Sequence, residues 1–385
     1  MRSRLTILFA GMIAADAGHG GATWAVLQYL LGFRRLGHDV YFVEPVPAAK
    51  LAPEGVALPL TTTAAYFQQV VASFGFSSSA ALLVQGTTDT IGLTHAELVS
   101  VARRADVLVN ISGMLTDPAL LEGIGRRVYL DLDPGFNQAW HVEAGIDMRF
   151  DLHTHFATVG LAIGRAECLV PLCDRRWITT CPPVVLGEWP YARRLARNAF
   201  TTVANWRSYG SLQFDGLFLG QKAHALRPLM ELPQTTTTRF ELALTIHETE
   251  PDLVALRRAG WGLVDPNEAA GTPRRYRRFI RGSLAEFGIA KSGYAAVRSG
   301  WFSDRSVCYL ASGRPVLAQR TGFDHVLPTG EGLLSFETAD DVLSGVEAIA
   351  ANYRRHRAAA RAIAEQYFDS DRVLTRLLDA VGVSS

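Results

Sequence analysis

Residues 293–315 read GYAAVRSGWFSDRSVCYLASGRP, and this stretch decides the fold of the chain. Short apolar runs flank it, residues 287–290 before it and residues 316–318 after it. Its first part contains two glycines, and its second part contains a polar cluster followed by an apolar segment. This order predicts a strand, a glycine-rich loop, a helix and a second strand.

The helix within this stretch has recognisable ends. Ser303 or Asp304 can cap its N-terminus, Gly313 ends it and Pro315 prevents its continuation. The loop and the helix N-terminus direct backbone N–H groups toward one point, which suits an anion such as a phosphate. Arg305 would add a charge-assisted hydrogen bond to that phosphate.

The stretch resembles the nucleotide-sugar site of GT-B glycosyltransferases. In their C-terminal domain a loop and a helix N-terminus are followed by a small-Gly-x-Pro-Val turn, which is residues 312–316 here. The resemblance implies an α/β protein with two Rossmann-like domains that face a cleft. It also implies a nucleotide-sugar-dependent transferase of the bacterial natural-product or glycoconjugate type. Gly300 and Cys308 stand where the common retaining pattern has two glutamates, so the stereochemical outcome stays open.

The start of the chain has the pattern of a βαβ unit. Residues 5–9 read as a buried strand, residues 18–21 as a Gly-His-Gly-Gly turn and residues 22–36 as a helix with an apolar stripe. Residues 40–43 then read as the next strand. The N-terminal domains of GT-B enzymes open in the same way, with the glycine turn facing the cleft.

Two alternatives apply to this start. Arg2 and Arg4 before an apolar run also fit a secretory signal peptide, but the βαβ continuation favours a strand. A dinucleotide-binding protein would carry Gly-x-Gly-x-x-Gly, and the glycines of the 18–21 turn have a different spacing. Glu44, at the end of the second predicted strand, is the one acid that fits the dinucleotide alternative.

Length and composition are those of a globular protein with a core. The 385 residues suit two domains, and 48% of them are hydrophobic and 19% charged. The net charge of +1 does not indicate a nucleic-acid partner. Four cysteines without metal-site spacing predict free thiols in a cytoplasmic protein. No apolar segment reaches the roughly twenty residues that span a membrane, and nothing in the sequence indicates the oligomeric state.

Prolines and glycines between residues 180 and 191 break regular structure and predict the domain boundary. We therefore expect an N-terminal acceptor-binding domain of residues 1–185 and a nucleotide-sugar-binding domain of residues 186–365. As in other GT-B folds, a final helix, residues 366–385, should cross back to the first domain.

Polar side chains follow the strands of the first domain, where ligands of open α/β sheets bind. Asp131 and Asp133 form an Asp-x-Asp pair that can hold a metal, although a strand end followed by a turn also explains them. His153 and His155 fall on one face of a predicted strand over residues 153–160, with no third metal ligand nearby. We assign Asp133, His153 and His155 to acceptor binding and no residue to a metal.

The resemblance also implies a donor site, mostly in the second domain. GT-B donor domains commonly place a basic residue after the loop of the first strand, against the diphosphate, and Lys222 fits that position. The residues expected to hold the donor are Gly20, Lys222, Lys291, Ser292, Trp301, Phe302, Ser303, Asp304, Arg305 and Ser306. No cofactor is expected, because basic side chains and a helix N-terminus can stabilise a departing diphosphate. Residues 272–283, with five arginines, are interpreted as a solvated basic helix.

An acceptor hydroxyl also needs a base. In inverting GT-B enzymes a histidine after the first strand often has that role, and His19 matches it. Asp16 could orient His19 or replace it. The alternative is that His19 is an ordinary turn residue.

The sequence thus predicts a metal-independent glycosyltransferase. Its donor would be a sugar linked to uridine or thymidine diphosphate, and its acceptor a hydroxyl of a small molecule or glycoconjugate. The alternative is a GT-B-like nucleotide-sugar epimerase or an inactive nucleotide-binding protein, which the missing glutamates of the retaining pattern keep open. The sequence does not specify the sugar, the nucleotide base or the acceptor.

Overall fold

The computed structural model describes residues 4–383, which form two α/β halves. The strands of the first half are β1 Thr6–Ala10, β2 Asp39–Val46, β3 Ala80–Val84, β4 Thr90–Gly92, β5 Val107–Ile111, β6 Arg127–Asp131, β7 His155–Thr158 and β8 Trp177–Thr179. Its helices are α1 Gly20–Arg35, α2 Thr62–Ser73, α3 His95–Arg104, α4 Pro118–Leu121 and α5 Phe136–Val142.

The second half has the same alternation of strands and helices. Its strands are β9 Arg197–Asn205, β10 Leu212–Phe214, β11 Leu217–Leu219, β12 Phe240–Thr245, β13 Gly262–Val264, β14 Ser283–Gly288, β15 Val316–Gln319 and β16 Leu333–Phe336. Its helices are α6 Lys222–Leu226, α7 Pro251–Ala259, α8 Pro266–Ala270, α9 Pro273–Gly282, α10 Ser292–Ala296, α11 Asp304–Ala311, α12 Ala339–Ala351, α13 Tyr353–Ile363 and α14 Ser370–Ala380. A π-helical turn, Ala364–Phe368, precedes α14.

The first half forms one eight-stranded sheet in the order β4-β3-β2-β1-β5-β6-β7-β8. All neighbouring strands are parallel except β3 and β4. Every residue of β5 is buried, because helices cover both faces of the sheet. The parallel direction brings the carboxyl ends of β1, β5 and β6 to one edge, where the predicted site residues Asp16, His19 and Asp133 follow.

The second half forms a six-stranded parallel sheet in the order β13-β12-β9-β14-β15-β16. The two remaining strands, β10 and β11, pair only with each other as an antiparallel hairpin. The α/β class with two parallel-rich sheets, predicted from the sequence, is confirmed. No helix within residues 4–383 is long and apolar enough to cross a membrane.

Helix α1 of the first half packs directly on the second half. The indole N–H of Trp24 donates to the carbonyl of Pro273, at 2.8 Å. A Cβ atom on Gly20 would lie 2.4 Å from the carbonyl oxygen of Thr272, so only glycine fits this contact. Gln28 accepts a hydrogen bond from the backbone of Val185, in the connection between the two sheets. The glycine turn is therefore fixed against the second half by packing.

The chain passes between the two halves twice, and the two crossings are hydrogen-bonded to each other. The first lies between β8 and β9, and the second lies just before α14. The backbone N–H of Val184 donates to Phe368, and that of Ser370 donates back to Val184, at 2.7 and 2.9 Å. Helix α14 then packs on α1, where Arg35 pairs with Asp371 at 3.0 Å.

Several elements differ from their predicted bounds. Strand β14 starts four residues before the predicted run 287–290, because it buries polar side chains that the apolar pattern does not include. The sequence of residues 340–357 predicts one helix, but the structure divides it between α12 and α13. The sequence of residues 210–220 predicts no regular structure, but the structure has the β10–β11 hairpin there. Strand β7 covers only part of the predicted strand 153–160.

Candidate active site

A cavity of about 480 Å³ lies between the carboxyl edges of the two sheets. One wall is the turn of residues 16–19 with the first turns of α1. The opposite wall consists of the ends of β9 and β12 and the first residues of α6, α8 and α11. Helix N-termini carry N–H groups without helical partners, so this wall favours an anion.

The first wall is held in place by a buried glutamate at the second strand. The carboxylate of Glu44 accepts hydrogen bonds from the backbone of Ala14 and Ala15, at 2.8 and 2.7 Å. Burial raises the pKa of Glu44 to about 7, although those N–H groups favour the charged form. Glu44 therefore anchors the loop after β1. In the sequence, Glu44 was considered only as the acid that a dinucleotide-binding protein would need. Its position in an apolar strand was the available indication of a structural role.

The wall presents a histidine and an aspartate as a pair. Nδ1 of His19 lies 2.9 Å from a carboxylate oxygen of Asp16, and both side chains are about two-fifths exposed. This hydrogen bond raises the pKa of His19. A neutral ring that donates Nδ1–H to Asp16 leaves Nε2 as a proton acceptor. The two predicted catalytic residues are therefore brought together, and both line the cavity.

Lys222 is the cation on the opposite wall. It begins α6, is partly buried and lines the cavity, and it makes no hydrogen bond or ion pair with any described residue. Burial lowers its pKa to about 7, and the nearby charges of Arg305 and Lys291 lower it further. Asp133 and Asp304 act on Lys222 electrostatically but form no ion pair with it, so a bound anion in direct contact would stabilise its charged form.

Arg305 also lines the cavity, but most of its charge is balanced inside the protein. Its Nε lies 2.6 Å from a carboxylate oxygen of Glu286, which is fully buried in β14. One terminal nitrogen donates to the carbonyl of Val203, and Nη2 has no partner within the described part of the chain. Glu286 was not identified from the sequence, because it lies just before the apolar run 287–290 and no local pattern marks it as buried.

The helix N-terminus predicted to hold phosphate is present. Ser303 caps α11 by accepting the N–H of Arg305, at 3.2 Å, and Gly313 ends the helix with a φ of +64°. Asp304 occupies the first turn and lines the cavity. Burial raises its pKa despite the nearby charges of Arg305 and Lys222. The negative charge of Asp304 disfavours a phosphate beside this carboxylate. The same carboxylate can accept a hydrogen bond from a sugar hydroxyl.

The glycines of residues 293–315 have a different role from the one predicted. A Cβ on Gly293 would lie 2.6 Å from the ring of Phe136, and one on Gly300 would lie 2.3 Å from the backbone nitrogen of Ala162. Both neighbours belong to the first half. These glycines allow the two halves to approach closely, so the expectation that they form a phosphate cradle is replaced by a packing role.

The remaining predicted donor residues divide between interface and core. Trp301 stacks on Tyr294 with ring centroids 4.5 Å apart, and Phe302 stacks on Phe368 at 5.3 Å. Neither lines the main cavity; both border a small pocket next to Asp304. Gly20 contacts the loop before α9, as stated above. The hydroxyl of Ser292 is buried and has no hydrogen-bond partner within residues 4–383.

Lys291 and Asp133 form an ion pair across the two halves. Nζ of Lys291 lies 2.8 Å from a carboxylate oxygen of Asp133, and Tyr209 donates to the same oxygen at 2.7 Å. Tyr294 completes the cluster. Burial alone would raise the pKa of Asp133, but Lys291 and the tyrosines hold it below its ordinary value. Lys291 thus contacts an acid of the first half where a donor contact was predicted.

Asp131 serves the structure of the first half. Its carboxylate accepts hydrogen bonds from Asn137, Gln138 and Thr158, at 2.7, 2.9 and 2.8 Å. Burial raises its pKa to about 6. Because Asp131 has these partners and Asp133 pairs with Lys291, the two acids do not face one ligand position.

The two histidines assigned to acceptor binding lie away from the cavity. His153 is buried, with one ring nitrogen 3.0 Å from the Asn110 amide and the other 2.9 Å from the carbonyl of Arg149. Burial lowers its pKa to about 4. His155 begins β7, so it lies at the amino edge of the sheet, opposite the cavity. The structure therefore does not bring this pair to the cleft.

Comparisons with solved structures identify the fold. An alpha-glucosyltransferase in complex with UDP and a 13-mer DNA gives a TM-score of 0.60 at 12% identity, covering 98% of this chain and 99% of that one. The Anabaena protein HepE in complex with UDP and glucose gives 0.57 at 12% identity, with coverages of 98% and 99%. AviGT4, a glycosyltransferase involved in avilamycin A biosynthesis, gives 0.50 at 14% identity, with coverages of 98% and 97%.

No protein-family model and no curated protein matches the sequence. At these identities the likeness establishes the architecture: the chain has the GT-B fold, as the resemblance in residues 312–316 implied.

Proposed function

We propose that this protein transfers a sugar from a nucleoside diphosphate sugar to an acceptor hydroxyl. One arrangement carries the proposal: Lys222, a cation without an acidic partner in the described chain, lies across a single cavity from the His19–Asp16 pair. A departing diphosphate needs positive charge, and an attacking hydroxyl needs a proton acceptor.

On the donor side, Lys222 would contact the diphosphate. Nη2 of Arg305 would add a second donor. UDP is the favoured nucleotide, because the similar alpha-glucosyltransferase and HepE structures both contain it. Asn205 and Thr245, at the ends of β9 and β12, line the same cavity and would meet the nucleoside. Asp304 would accept a hydroxyl of the sugar.

On the acceptor side, His19 would take the proton. Its bond to Asp16 orients the ring, and Glu44 fixes the loop that carries both residues. An imidazole with a pKa near working pH is an efficient general base. As the hydroxyl oxygen bonds to the anomeric carbon and its proton passes to His19, the carbon–oxygen bond to the diphosphate breaks, and its electron pair leaves with the diphosphate.

We further propose that the reaction needs no metal ion. Lys222 and the helix N-termini supply the positive charge that a metal would otherwise provide. The proposed acceptor is a small molecule or a glycoconjugate. The similar alpha-glucosyltransferase structure holds DNA, but the wall around His19 presents Asp16 and no cluster of basic side chains, which suits a neutral acceptor better than a polyanion.

The deciding experiment measures UDP affinity by calorimetry with magnesium and with a chelator, and then UDP release from a panel of UDP-sugars and hydroxyl acceptors. We expect the same affinity in both buffers and UDP release only with an acceptor. Affinity lost in chelator would remove the metal-independent mechanism. Conversion of a UDP-sugar to its epimer without an acceptor would establish the epimerase alternative, and binding without any turnover would establish an inactive binder.

A further inference from the structure

A groove on the second half, outside the cleft, is lined by arginines. We name it the arginine groove; its basic residues are Arg193, Arg194, Arg274, Arg277, Arg278 and Arg281. They come from the connection between the two sheets and from helix α9. The groove encloses about 640 Å³ and shares no lining residue with the cleft cavity.

The positive charge of the arginine groove is poorly balanced. Arg277 pairs with Glu188 at 2.6 Å. The other exposed members, Arg193, Arg194, Arg274 and Arg278, make no ion pair within residues 4–383. Partial burial lowers the pKa of Arg281, and the charge of Arg277 lowers it further. The whole chain has a net charge of only +1, so the protein is not basic as a whole. This face is basic because positive side chains are concentrated on it.

Apolar side chains accompany the arginines at the surface. Leu195, between the linker arginines and the start of β9, is 46% exposed, and Tyr191 is 39% exposed. The guanidinium of Arg357 lies 4.5 Å from the centre of the Tyr191 ring, so one face of that ring is already covered. Helix α9 turns Tyr276, Phe279 and Ile280 into the core and leaves its arginines outward.

We propose that the arginine groove docks the protein on a membrane surface of anionic phospholipid headgroups. Guanidinium groups bind phosphate oxygens in pairs and attract an anionic surface electrostatically. Leu195 is exposed beside the groove without lining it, and an exposed leucine next to bound headgroups can contact the boundary between headgroups and acyl chains. Leu195 would gain no contact with a nucleic-acid backbone, which is charged and polar. The ring of Tyr191 is covered on one face by Arg357 and offers little surface on which a base could stack. These two residues therefore favour lipid over nucleic acid. Docking on this face leaves the cleft accessible.

The test is co-sedimentation of the whole protein with vesicles of phosphatidylcholine alone or mixed with phosphatidylglycerol, at about 0.1 M ionic strength. We expect binding to the mixed vesicles only, and weaker binding as salt increases. Replacing Arg193, Arg194, Arg274 and Arg278 with alanine should lower the partition coefficient at least about a hundredfold, since each basic residue near such a surface contributes about fivefold. Replacing the same four with lysine should preserve most of the binding.

The matched control replaces four exposed arginines elsewhere, Arg103, Arg257, Arg258 and Arg354, with alanine, and we expect full binding. Thermal unfolding confirms that each variant is folded, and since all eight side chains are exposed, the structure predicts no loss of fold. Equal binding to phosphatidylcholine alone, equal loss in the control, or binding to duplex DNA and not to vesicles would each overturn the proposal. Loss of binding in the lysine variant would instead indicate a specific phosphate ligand and would also overturn it.

Discussion

Each wall of the cleft is supported by a buried glutamate on a strand, and the two glutamates act differently. Glu44 accepts backbone N–H groups of the loop after β1, so it fixes the backbone and leaves the side chains of that loop available. Glu286 pairs with Arg305, so it occupies the guanidinium that faces the cavity. The first wall therefore keeps His19 available for chemistry, whereas the second wall leaves Lys222 as the cation without an internal partner.

The difference shows that the role of a basic residue at a ligand cavity depends on whether an acidic side chain of the protein already balances its charge. Arg305 and Lys222 both line the cavity, and only the first has an acid within hydrogen-bond distance. We therefore expect alteration of Arg305 to act mainly on stability and alteration of Lys222 to act mainly on ligand affinity. Four measurements test this contrast between the walls.

The largest expected effect is on the first wall. His19→Ala should lower turnover about a hundredfold to ten-thousandfold, because a general base is lost, while UDP affinity stays within about twofold, because the donor contacts lie on the other wall. Turnover of the unaltered protein should rise with pH through the pKa of His19. His19→Gln should not restore activity. His325→Ala, at an exposed histidine, is the control. Near-native turnover in both His19 variants would make His19 a turn residue only.

The next effect concerns the Glu286–Arg305 pair. Arg305→Ala leaves a buried carboxylate unpaired, so the free energy of unfolding should fall by about 3–5 kcal/mol at neutral pH. Urea unfolding followed by circular dichroism measures it. Adding Glu286→Gln to the Arg305 variant should recover most of the loss, because the unpaired charge is removed. A stable Arg305→Ala protein that binds UDP as weakly as a Lys222 variant would show that Arg305 mainly serves the ligand.

Lys222→Met should weaken UDP binding about tenfold to hundredfold, because a charge-assisted hydrogen bond is worth about 1.5–3 kcal/mol. The unfolding free energy should not decrease, since a partly buried cation without an acidic partner is replaced by an apolar side chain of similar length. Lys50→Met, at an exposed lysine, provides the matched control for calorimetry. Unchanged UDP affinity in Lys222→Met would remove the central support of the proposed function.

The smallest effect is a pH dependence that comes from the same lysine. Its pKa of about 7 means that the ammonium loses its proton as pH rises above neutrality, and a bound diphosphate restores that proton. UDP affinity should therefore fall by about fivefold from pH 7 to pH 8, and its total loss at higher pH should stay below the loss in Lys222→Met. Lys222→Arg should bind UDP with little pH dependence, because guanidinium stays charged. A flat profile in the unaltered protein would show that Lys222 is not the group that meets the phosphates.

The sequence predicted the order of the elements well. Short apolar runs between turn-forming residues are local signals. Residues 80–84, 262–264 and 333–336 each predict a strand, and β3, β13 and β16 have these bounds. The element errors have local causes too. Strand β14 contains two buried polar residues, Ser283 and Glu286, which hide it from an apolar pattern. Strand β7 is shorter than the predicted run because a 3₁₀ turn, Phe150–Leu152, precedes it and a turn that begins at Gly160 follows it.

The candidate site was predicted less well, because its errors depend on long-range contacts. Gly293 meets Phe136, and Lys291 meets Asp133, across well over a hundred residues of sequence. No local pattern reveals that a glycine serves domain packing and not a phosphate. His19 with Asp16 was predictable because the two residues are neighbours in one turn.

The hydrogen bonds between Val184, Phe368 and Ser370 have a mechanical consequence. Because the two chain crossings are hydrogen-bonded to each other, we expect them to form one hinge. The cleft should then open and close by rotation of one half about a single axis, without translation. Lys222 and His19 should then return to the same separation after each release of product. A protein cut within the second crossing would keep one covalent connection together with the packed contacts between the halves, and we expect small-angle scattering to record a modestly broader radius of gyration.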